Sequence, residues 1–415
     1  MSATPGQAAC DLQSVADAVW RRCRDADFAG SDPYDGLKSR LLAPLFDRSR
    51  LLRLAVIQGV KRSPIDLRPL LRIPRGRNPK ALALLLLAGG ALPRLVPAAD
   101  RRRLADLLAG QASLPDGSPV FADRPAQPGQ ADRLIAAAPA AAGWGYDFPW
   151  QARAFEQPAH YPTVVCTSFV VDAFASVGHP AAGAVTRAAA GLVADYLHRG
   201  EDTTGVWYSY SPRDRTRVFN ASLFAGKILA RSAVTAIPDE SARLRGEAIR
   251  VVDYVAARQR PDGSWFYGEA DHWQWIDNFH TGFVLETIAG IAELIGEPAR
   301  WDDTLARGLT YYRQHCFASD LTPYYYADRP LRLDSHTVAQ SALTFLALAR
   351  FDPALDAAAR RVLEIGVARL YDPARRGFVH QRSRWLSHRA IHLRWSQAWM
   401  LRALATCLAH EEHSA

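Results

Sequence analysis

Residues 263–288 read GSWFYGEADHWQWIDNFHTGFVLETI, an aromatic, polar loop that runs directly into an apolar helix. Four other segments follow the same plan and begin at residues 143, 205, 322 and 377. The five starts are 55–62 residues apart, which is enough chain for two helices and two loops in each repeat. This period predicts a series of helical hairpins that pack side by side.

The stretches between the aromatic loops contain two kinds of helix. Residues 242–260 and 298–316 carry apolar residues at three- and four-residue spacing, typical of half-exposed outer helices. Residues 221–234 and 281–294 are more apolar and richer in small side chains, as helices packed on both sides are. Five such hairpins and the helical N-terminal region would close a ring of about six. We therefore predict an all-α fold, an α/α toroid of the six-hairpin glycosidase-like or terpenoid cyclase-like kind.

The chain divides into four parts. Residues 1–10 are expected to be disordered, and residues 11–111 to form N-terminal helical hairpins. Residues 112–130 are rich in proline and glycine and form either a linker or another long loop over the ring. We favour the loop, because the helices before it have the same lengths as the later ones. Residues 131–410 are expected to carry the repeated hairpins and a central cleft.

Composition limits the partners and the compartment. The formal net charge is +8, mainly from scattered arginines, and a positive cleft would attract an acidic ligand. No nucleic-acid-binding signature accompanies this charge. The most apolar stretch, residues 81–92, is too short to span a bilayer. Five widely spaced cysteines without a CxxC pair, and a start without a basic or apolar run, favour a cytoplasmic protein.

In a ring of hairpins all inner helices begin at one end, so their first residues are candidates for a site. Asn220 and Asp334 are either ordinary helix caps or, with Arg394, substrate-binding residues. Histidine is not a favoured cap, so His280 and His336 indicate function. The predicted helix starts align on Cys166-Thr167-Ser168, Asn220-Ala221-Ser222, Asn278-Phe279-His280, Asp334-Ser335-His336 and Arg394-Trp395-Ser396.

The loops are unusually aromatic. Flat rings beside hydrogen-bonding side chains suit sugars, whose C–H groups stack while their hydroxyls reach polar partners. Some of these rings must instead pack in the core. The aromatic residues that we expect to bind substrate are Trp144, Tyr146, Trp150, Trp207, Tyr210, Trp265, Trp275 and Tyr325.

The densest group of ionisable residues lies within residues 263–286 and allows two chemistries. In the first, the carboxylates of Glu269 and Asp277 serve as acid and base in glycoside hydrolysis. No HxH, HExxH or Cys/His spacing accompanies them, so we expect neither a metal nor a cofactor.

In the second chemistry the substrate is a uronic acid. Asn278 and His280 would neutralise its carboxylate, because the neighbouring C5 proton is otherwise hard to remove. Tyr267 or Tyr325 would move that proton, and Arg217 would add positive charge. The basic net charge favours this second chemistry.

Two resemblances concern parts of the chain. Residues 258–265, RQRPDGSW, resemble the QW repeat of squalene-hopene and related terpene cyclases, which are also α-toroids. The chain has no DxDD acid motif, so the likeness is to a fold signature and leaves a terpenoid cyclase or prenyltransferase-like enzyme as an alternative. Residues 162–174 and 217–229 are faintly similar to the toroid domain of heparosan glucuronyl C5-epimerases.

A wider resemblance covers most of the chain. The runs SDPYDGLKS (31–39), RIPRGRNPKALAL (72–84), GWGYDFPWQARAF (143–155), YSPRDRTRVFNASL (210–223) and WIDNFHTGFVLE (275–286) resemble a bacterial family encoded with exopolysaccharide and capsule genes. Its members are described as polysaccharide-biosynthesis or prenyltransferase-like toroid proteins. The resemblance implies association with other polysaccharide-synthesis proteins. It adds to the candidate site Asp32, Tyr34, Asp35, Arg75, Arg77 and Asn78.

Together these patterns predict an enzyme that modifies an oligo- or polysaccharide, with epimerase or lyase chemistry ahead of hydrolysis. A non-catalytic glycan-binding or assembly subunit is one alternative, and it would tolerate loss of Glu269, Asp277 and His280. A terpenoid cyclase is the other, and it would need a dry aromatic cavity into which no ionisable groups converge.

Overall fold

The computed structural model describes residues 11–46, 49–121, 127–151, 156–383 and 387–414. Within these ranges nearly all regular structure is helical, and a π-helical turn at Leu393–Ala398 leads into the last helix. The helices are α1 (Leu12–Asp25), α2 (Ala43–Phe46), α3 (Arg50–Arg62), α4 (Pro79–Ala91), α5 (Ala98–Ala109), α6 (Gln130–Ala137), α7 (Val164–Ser176), α8 (Ala182–Asp195), α9 (Phe219–Ala233), α10 (Pro238–Ala256), α11 (Asn278–Leu294), α12 (Asp302–His315), α13 (Ser335–Ala347), α14 (Ala354–Leu370) and α15 (Trp399–Ser414).

Six of these helices form a closed inner ring. In order they are α4, α7, α9, α11, α13 and α15, and α15 packs back on α4. Helices α5, α8, α10, α12 and α14 pack outside them, and α1 packs on α15 as the sixth outer helix. The prediction of an α/α toroid of about six hairpins is confirmed.

Burial separates the two layers as the sequence patterns predict. Most residues of the inner helices α11 and α13 are buried on every face. The outer helix α10 buries one stripe, Leu244, Ala248, Val251, Val252 and Val255, at three- and four-residue spacing. An inner helix must therefore be apolar on nearly every face, except in its first turn, which lies next to the centre of the ring.

Short antiparallel strands stiffen the loops between helices. The pairs are β1 (Trp150–Gln151) with β2 (Glu156–Gln157), β3 (Arg199–Asp202) with β4 (Gly205–Tyr208), β6 (Tyr371–Asp372) with β7 (Gly377–Phe378), and the sheet β5 (Arg332–Asp334), β8 (Gln381–Ser383) and β9 (Ser387–His388). Seven of these strands, all except β3 and β6, lie in aromatic loops that precede inner helices.

The N-terminal half of the chain enters the same ring. Helix α4 lies between α7 and α15, and Ser113 exchanges two backbone hydrogen bonds of 2.9 Å with Gly143 at the first aromatic loop. Residues 1–10, which we expect to be disordered, lie outside the described residues, and so do residues 122–126 of the proline- and glycine-rich segment. Within the described part of the chain, no helix has the length and apolarity that crossing a bilayer requires.

A layer of ion pairs joins the inner helices below their first turns. Asp172 of α7 accepts from Lys227 of α9 at 2.7 Å and from Arg231 at 3.2 Å. Glu286 of α11 pairs with Arg402 of α15 at 2.6 Å. Burial opposes the ionisation of Asp172, but Lys227 and Arg231 outweigh it and hold the pKa of this carboxyl below its ordinary value. The layer links α7 to α9 and α11 to α15 across the ring.

We expect Asp172→Ala to lower the free energy of unfolding by about 3 kcal/mol, because Lys227 would lose its carboxylate in a largely desolvated place. Glu297→Ala is the matched control. Glu297 pairs with Arg300 on the surface, so this change is expected to cost less than ~1 kcal/mol. Urea denaturation followed by circular dichroism measures both variants. Equal midpoints for the two would contradict the role assigned to the ion-pair layer.

Candidate active site

A cavity of about 200 Å³ lies at the end of the ring where the inner helices begin. Each of the six inner segments lines it with a residue from its first turn: Lys80, Val165, Asn220, His280, His336 and Arg394. The preceding loops complete the wall with aromatic rings. These rings belong to Tyr34, Tyr146, Phe148, Trp150, Tyr210 and Tyr267.

His280 is held by the carboxylate that caps its own helix. Asp277 accepts the backbone N–H of His280 at 2.9 Å, and its second oxygen lies 2.6 Å from the ring nitrogen Nδ1. The indole N–H of Trp275 donates to the same carboxylate at 3.1 Å. Because Nδ1 is engaged, Nε2 is the nitrogen that can act on a ligand. A carboxylate-backed imidazole of this kind suits proton transfer.

In the described part of the chain, His336 has no carboxylate partner of the kind that holds His280. It is only 2% exposed, and neither ring nitrogen has a hydrogen-bond partner among the described residues. Its ring stacks on Trp399 at 4.4 Å between centroids. Burial, and then the charges of Lys80 and Arg394, lower the pKa of His336 well below its ordinary value, so the ring is neutral. A buried, unpaired imidazole on a cavity wall is a group that a ligand would satisfy.

Lys80 is the main residue that the sequence analysis misses. Its ammonium group lies 4.2 Å from the centroid of the Phe169 ring and 5.2 Å from those of Phe283 and Trp399. No carboxylate of the described residues pairs with it. Burial, and then the charge of Arg394, lower the pKa of Lys80 to about 7. The side chain therefore changes its charge near neutral pH.

Arg394 supplies a permanent charge. Asp32 accepts from its guanidinium in a two-bond arrangement of 2.6 and 2.8 Å, and both side chains are about 5% exposed. Burial opposes the charge, but Asp32 outweighs it and raises the pKa of Arg394 above its ordinary value. The guanidinium also lies 5.0 Å from the centroid of the Tyr146 ring. Asp32 thus positions the cation without lining the cavity itself.

Polar groups from the loops and α9 complete the lining. The hydroxyls of Tyr146 and Tyr210 are 3.2 Å apart, and Asn220 Oδ1 has no partner among the described residues. The Tyr267 ring stacks on Trp275 at 4.8 Å. Burial, and then the charge of Asp277, raise the pKa of Tyr267. Its hydroxyl is therefore a proton donor rather than a base at neutral pH.

Nine of the residues singled out from the sequence line the cavity. Asn220 is one of them, and it does not cap α9, whose cap position is Val218. The cap interpretation fits Asp334 instead, which accepts the backbone N–H groups of His336 and Thr337. The nine are Tyr34, Tyr146, Trp150, Tyr210, Asn220, Tyr267, His280, His336 and Arg394.

Four residues given catalytic roles do not line the cavity, which corrects their expected positions: Asn278, Glu269, Arg217 and Asp277. Asn278 Oδ1 accepts from Tyr312 at 2.7 Å and from Ser341 at 3.0 Å, so its amide is used in helix packing. Glu269 and Arg217 pair with each other at 3.0 Å outside the cavity, where Arg258 and Tyr254 also bind Glu269.

The carboxylates expected to work as acid and base are therefore not paired across a substrate. Glu269 is held in its ion pairs, and Asp277 caps α11 and binds His280. Among the described residues that line the cavity there is no Asp or Glu. Nor do three His, Cys, Asp or Glu side chains of the described chain converge as a metal site would need.

The other expected binding residues stand behind or beside the cavity. Trp144 and Trp265 are core residues whose indoles donate to backbone carbonyls, and Trp207 is buried beneath Arg217. Trp275 backs Tyr267, and Tyr325 packs edge-on against Phe279. The polar members have structural partners: Asp35 with Arg68, Arg77 with Asp27, and Asn78 with Asp147.

Solved structures with a similar fold include three sugar epimerases. Cellobiose 2-epimerase from Bacillus thermoamylovorans has a TM-score of 0.57 and 10% identity, over 82% of this chain and 90% of that chain. A sugar epimerase from a ruminal bacterium has a TM-score of 0.55 and 10% identity, over 82% of this chain and 90% of that chain. Cellobiose 2-epimerase from Spirochaeta thermophila has a TM-score of 0.51 and 13% identity, over 81% of this chain and 86% of that chain. At these identities the likeness establishes the toroid fold.

No protein-family model matches the sequence, and no curated protein gives a significant match. Membership of the exopolysaccharide-locus family therefore stays a prediction from the sequence runs. So do the division into domains and the cytoplasmic location.

The unusual charge of Lys80 can be measured directly, because the chain has only four lysines, Lys38, Lys61, Lys80 and Lys227. We expect one lysine signal in carbon-13 NMR spectra of lysine-labelled protein to titrate near pH 7, because burial disfavours the ammonium form. Lys80→Met should remove that signal and leave three. Four signals that all remain unchanged through pH 7 would contradict the assignment.

Proposed function

We propose that the protein is a carbohydrate-modifying enzyme that moves a proton at a sugar carbon next to a carbonyl or carboxylate group, as epimerases and lyases do. The observation that carries the proposal is the pair of imidazoles, His280 and His336, in one aromatic cavity with two cations, Lys80 and Arg394. This set supplies proton transfer and anion stabilisation, and no carboxylate of the described lining competes with it.

The chemistry follows from the charge of the intermediate. A base removes the C–H proton, and the electron pair of the broken bond moves onto the carbonyl or carboxylate oxygen. Neutral His336 has unpaired ring nitrogens that can accept the proton. Burial, Lys80 and Arg394 make it a weak base until the oxygen anion forms beside the two cations. The cations Lys80 and Arg394 stabilise the oxygen anion that forms.

The fate of the intermediate distinguishes the two reaction types. Return of a proton to the opposite face of the carbon, the role that we propose for His280, gives the epimer. Departure of the oxygen substituent on the next carbon instead gives the unsaturated product of a lyase, and Tyr146 or Tyr210 can protonate the leaving oxygen. Lys80 and Arg394 thus take the charge-neutralising role that the sequence predicted for Asn278 and His280.

The shape of the cavity supports a sugar as substrate. Its volume of about 200 Å³ is below the ~300–1,000 Å³ of drug-sized pockets, which suits a single sugar ring. Trp150, Tyr267 and Trp395 offer ring faces beside polar groups, as sugar stacking requires. Three solved structures of this fold are sugar epimerases, which agrees with the proposal.

The alternatives fit the cavity less well. Glycoside hydrolysis of the usual kind needs two carboxylates that flank the bond, ~5–9.5 Å apart, and the described lining has none. A terpenoid cyclase needs an apolar cavity, whereas four ionisable groups converge in this one. A glycan-binding subunit would use the unpaired His336 as a ligand contact, and it is the outcome that remains if no reaction is found.

The first test is incubation of the protein in deuterated water with uronic-acid and neutral oligosaccharides, read by proton NMR and mass spectrometry. Deuterium at a sugar carbon or an unsaturated product is the expected result. His336→Phe removes both nitrogens and should lower kcat by about 100- to 10,000-fold. His272→Ala, an exposed histidine outside the cavity, is the matched control and should leave kcat unchanged. Equal activity of both variants would exclude His336 from the chemistry.

The pH profile tests Lys80. The lysine stabilises the oxygen anion only when protonated, and its pKa is lowered to about 7, so the protonated fraction falls as pH rises through 7. We expect kcat to fall about tenfold per pH unit above pH 7. In Lys80→Arg the charge is permanent, so this fall should move to higher pH. A flat profile to pH 9 in the unmodified protein would contradict the role of Lys80.

A further inference from the structure

A second, larger space adjoins the cavity, and we call it the basic cleft. Its volume is about 530 Å³, and its lining includes Lys61, Arg62, Arg332, His380 and His388. No Asp or Glu is among its described lining residues. The cleft is therefore positive, polar and large enough for a sugar unit with a charged substituent.

The cations of the basic cleft are not neutralised by the described part of the chain. Among the described residues, no carboxylate lies within ion-pair distance of Lys61, Arg62 or Arg332. Most of the arginines that do form ion pairs in this protein pair with Asp or Glu on the surface. Lys61 donates instead to the hydroxyl of Tyr34 at 2.5 Å. Burial, and then the charge of Lys61, lower the pKa of His380 well below its ordinary value. The charge of the cleft thus comes from the lysine and the arginines.

His380 adds an independent sign of a ligand. It is only 2% exposed, and its Nε2 has no hydrogen-bond partner among the described residues. The closest carboxylate oxygen, on Asp334, is 3.5 Å away and already accepts from Gln381 and Trp395. An unpaired buried nitrogen on the wall of a cleft leaves a polar contact for a bound molecule to make.

The basic cleft and the central cavity share a wall. Tyr34 lines the cavity, while its hydroxyl accepts from Lys61 of the cleft. Tyr325 lines the cleft and packs edge-on against Phe279 of the cavity, with ring centroids 5.5 Å apart. The guanidinium of Arg332 lies 5.5 Å from the centroid of the Tyr325 ring. The central cavity and the basic cleft therefore lie on either side of one layer of side chains.

We infer that the basic cleft binds an oxyanion, a carboxylate, sulfate or phosphate, on the sugar unit next to the one that reacts in the cavity. The inference rests on the proposed function and narrows its substrate to an acidic oligosaccharide or polysaccharide. Arg62 and Arg332 hold the oxyanion from the open side of the cleft, whose lining also includes Lys61 and His380. Cations without carboxylate partners are available for such a group at little desolvation cost.

The inference is tested by measuring the affinity of three probes for the full-length protein by calorimetry at two salt concentrations. The probes are tetragalacturonate, the same tetrasaccharide with its carboxyl groups reduced to alcohols, and inorganic pyrophosphate. Tetragalacturonate or pyrophosphate is expected to bind at least tenfold more tightly than the reduced sugar, with affinity falling as salt rises. Preference for tetragalacturonate identifies a glycan carboxylate, and preference for pyrophosphate identifies a phosphate. The doubly substituted variant Arg62→Ala/Arg332→Ala should lose this preference.

Arg243→Ala, an exposed arginine on the outer helix α10, is the matched control and should keep the preference. Both substituted arginines of the cleft are exposed, so thermal unfolding of the variant should match the unmodified protein. Equal affinity for acidic and neutral tetrasaccharides, no binding of either anion, or an unchanged preference in the double variant would overturn the inference. Binding in the cleft should survive His336→Phe. A protein that binds the acidic sugar but shows no activity would therefore contradict the proposed reaction and leave the inference about the cleft unaffected.

Discussion

Capping of the inner helices is the constraint on which the site depends. The first turn of a helix has backbone N–H groups without partners, and in a closed ring these groups face a buried centre. Polar side chains before the helices accept them and so fix the residues that follow. In three helices the backbone N–H accepted by the cap belongs to a residue that lines the cavity, and the pairs are Lys80 with Asn78, His280 with Asp277, and His336 with Asp334.

The same arrangement explains the charge of the cavity. The positive ends of the inner helices point to one place, where they favour anions. Arg394 adds a cation that Asp32 stabilises, whereas Lys80 has no described carboxylate and loses part of its charge. The cavity is thus ready for an anionic oxygen before any substrate enters. Such preorganised charge is what lowers the barrier of a reaction with an anionic intermediate.

The position of Asn278 depends on the register of the cap that precedes its helix. The motif alignment placed Asn278 opposite Asp334, but the cap of α11 is Asp277, one residue earlier. This shift turns Asn278 by about 100° around the helix, away from the cavity and toward Tyr312. The sequence signal for Lys80 is a single cation in the first turn of an apolar helix, directly after Asn-Pro.

The ring of hairpins can be predicted from the sequence, because a repeated alternation of apolar and amphipathic helices allows few other ways to bury both faces of the inner layer. The gathering of polar and aromatic residues where the inner helices begin can be predicted in the same way. Which of these residues face the centre could not be predicted and is known from the folded chain. That choice depends on helix phase and on distant partners, such as Asp32 for Arg394, which are 362 positions apart in the chain and meet only when the ring closes.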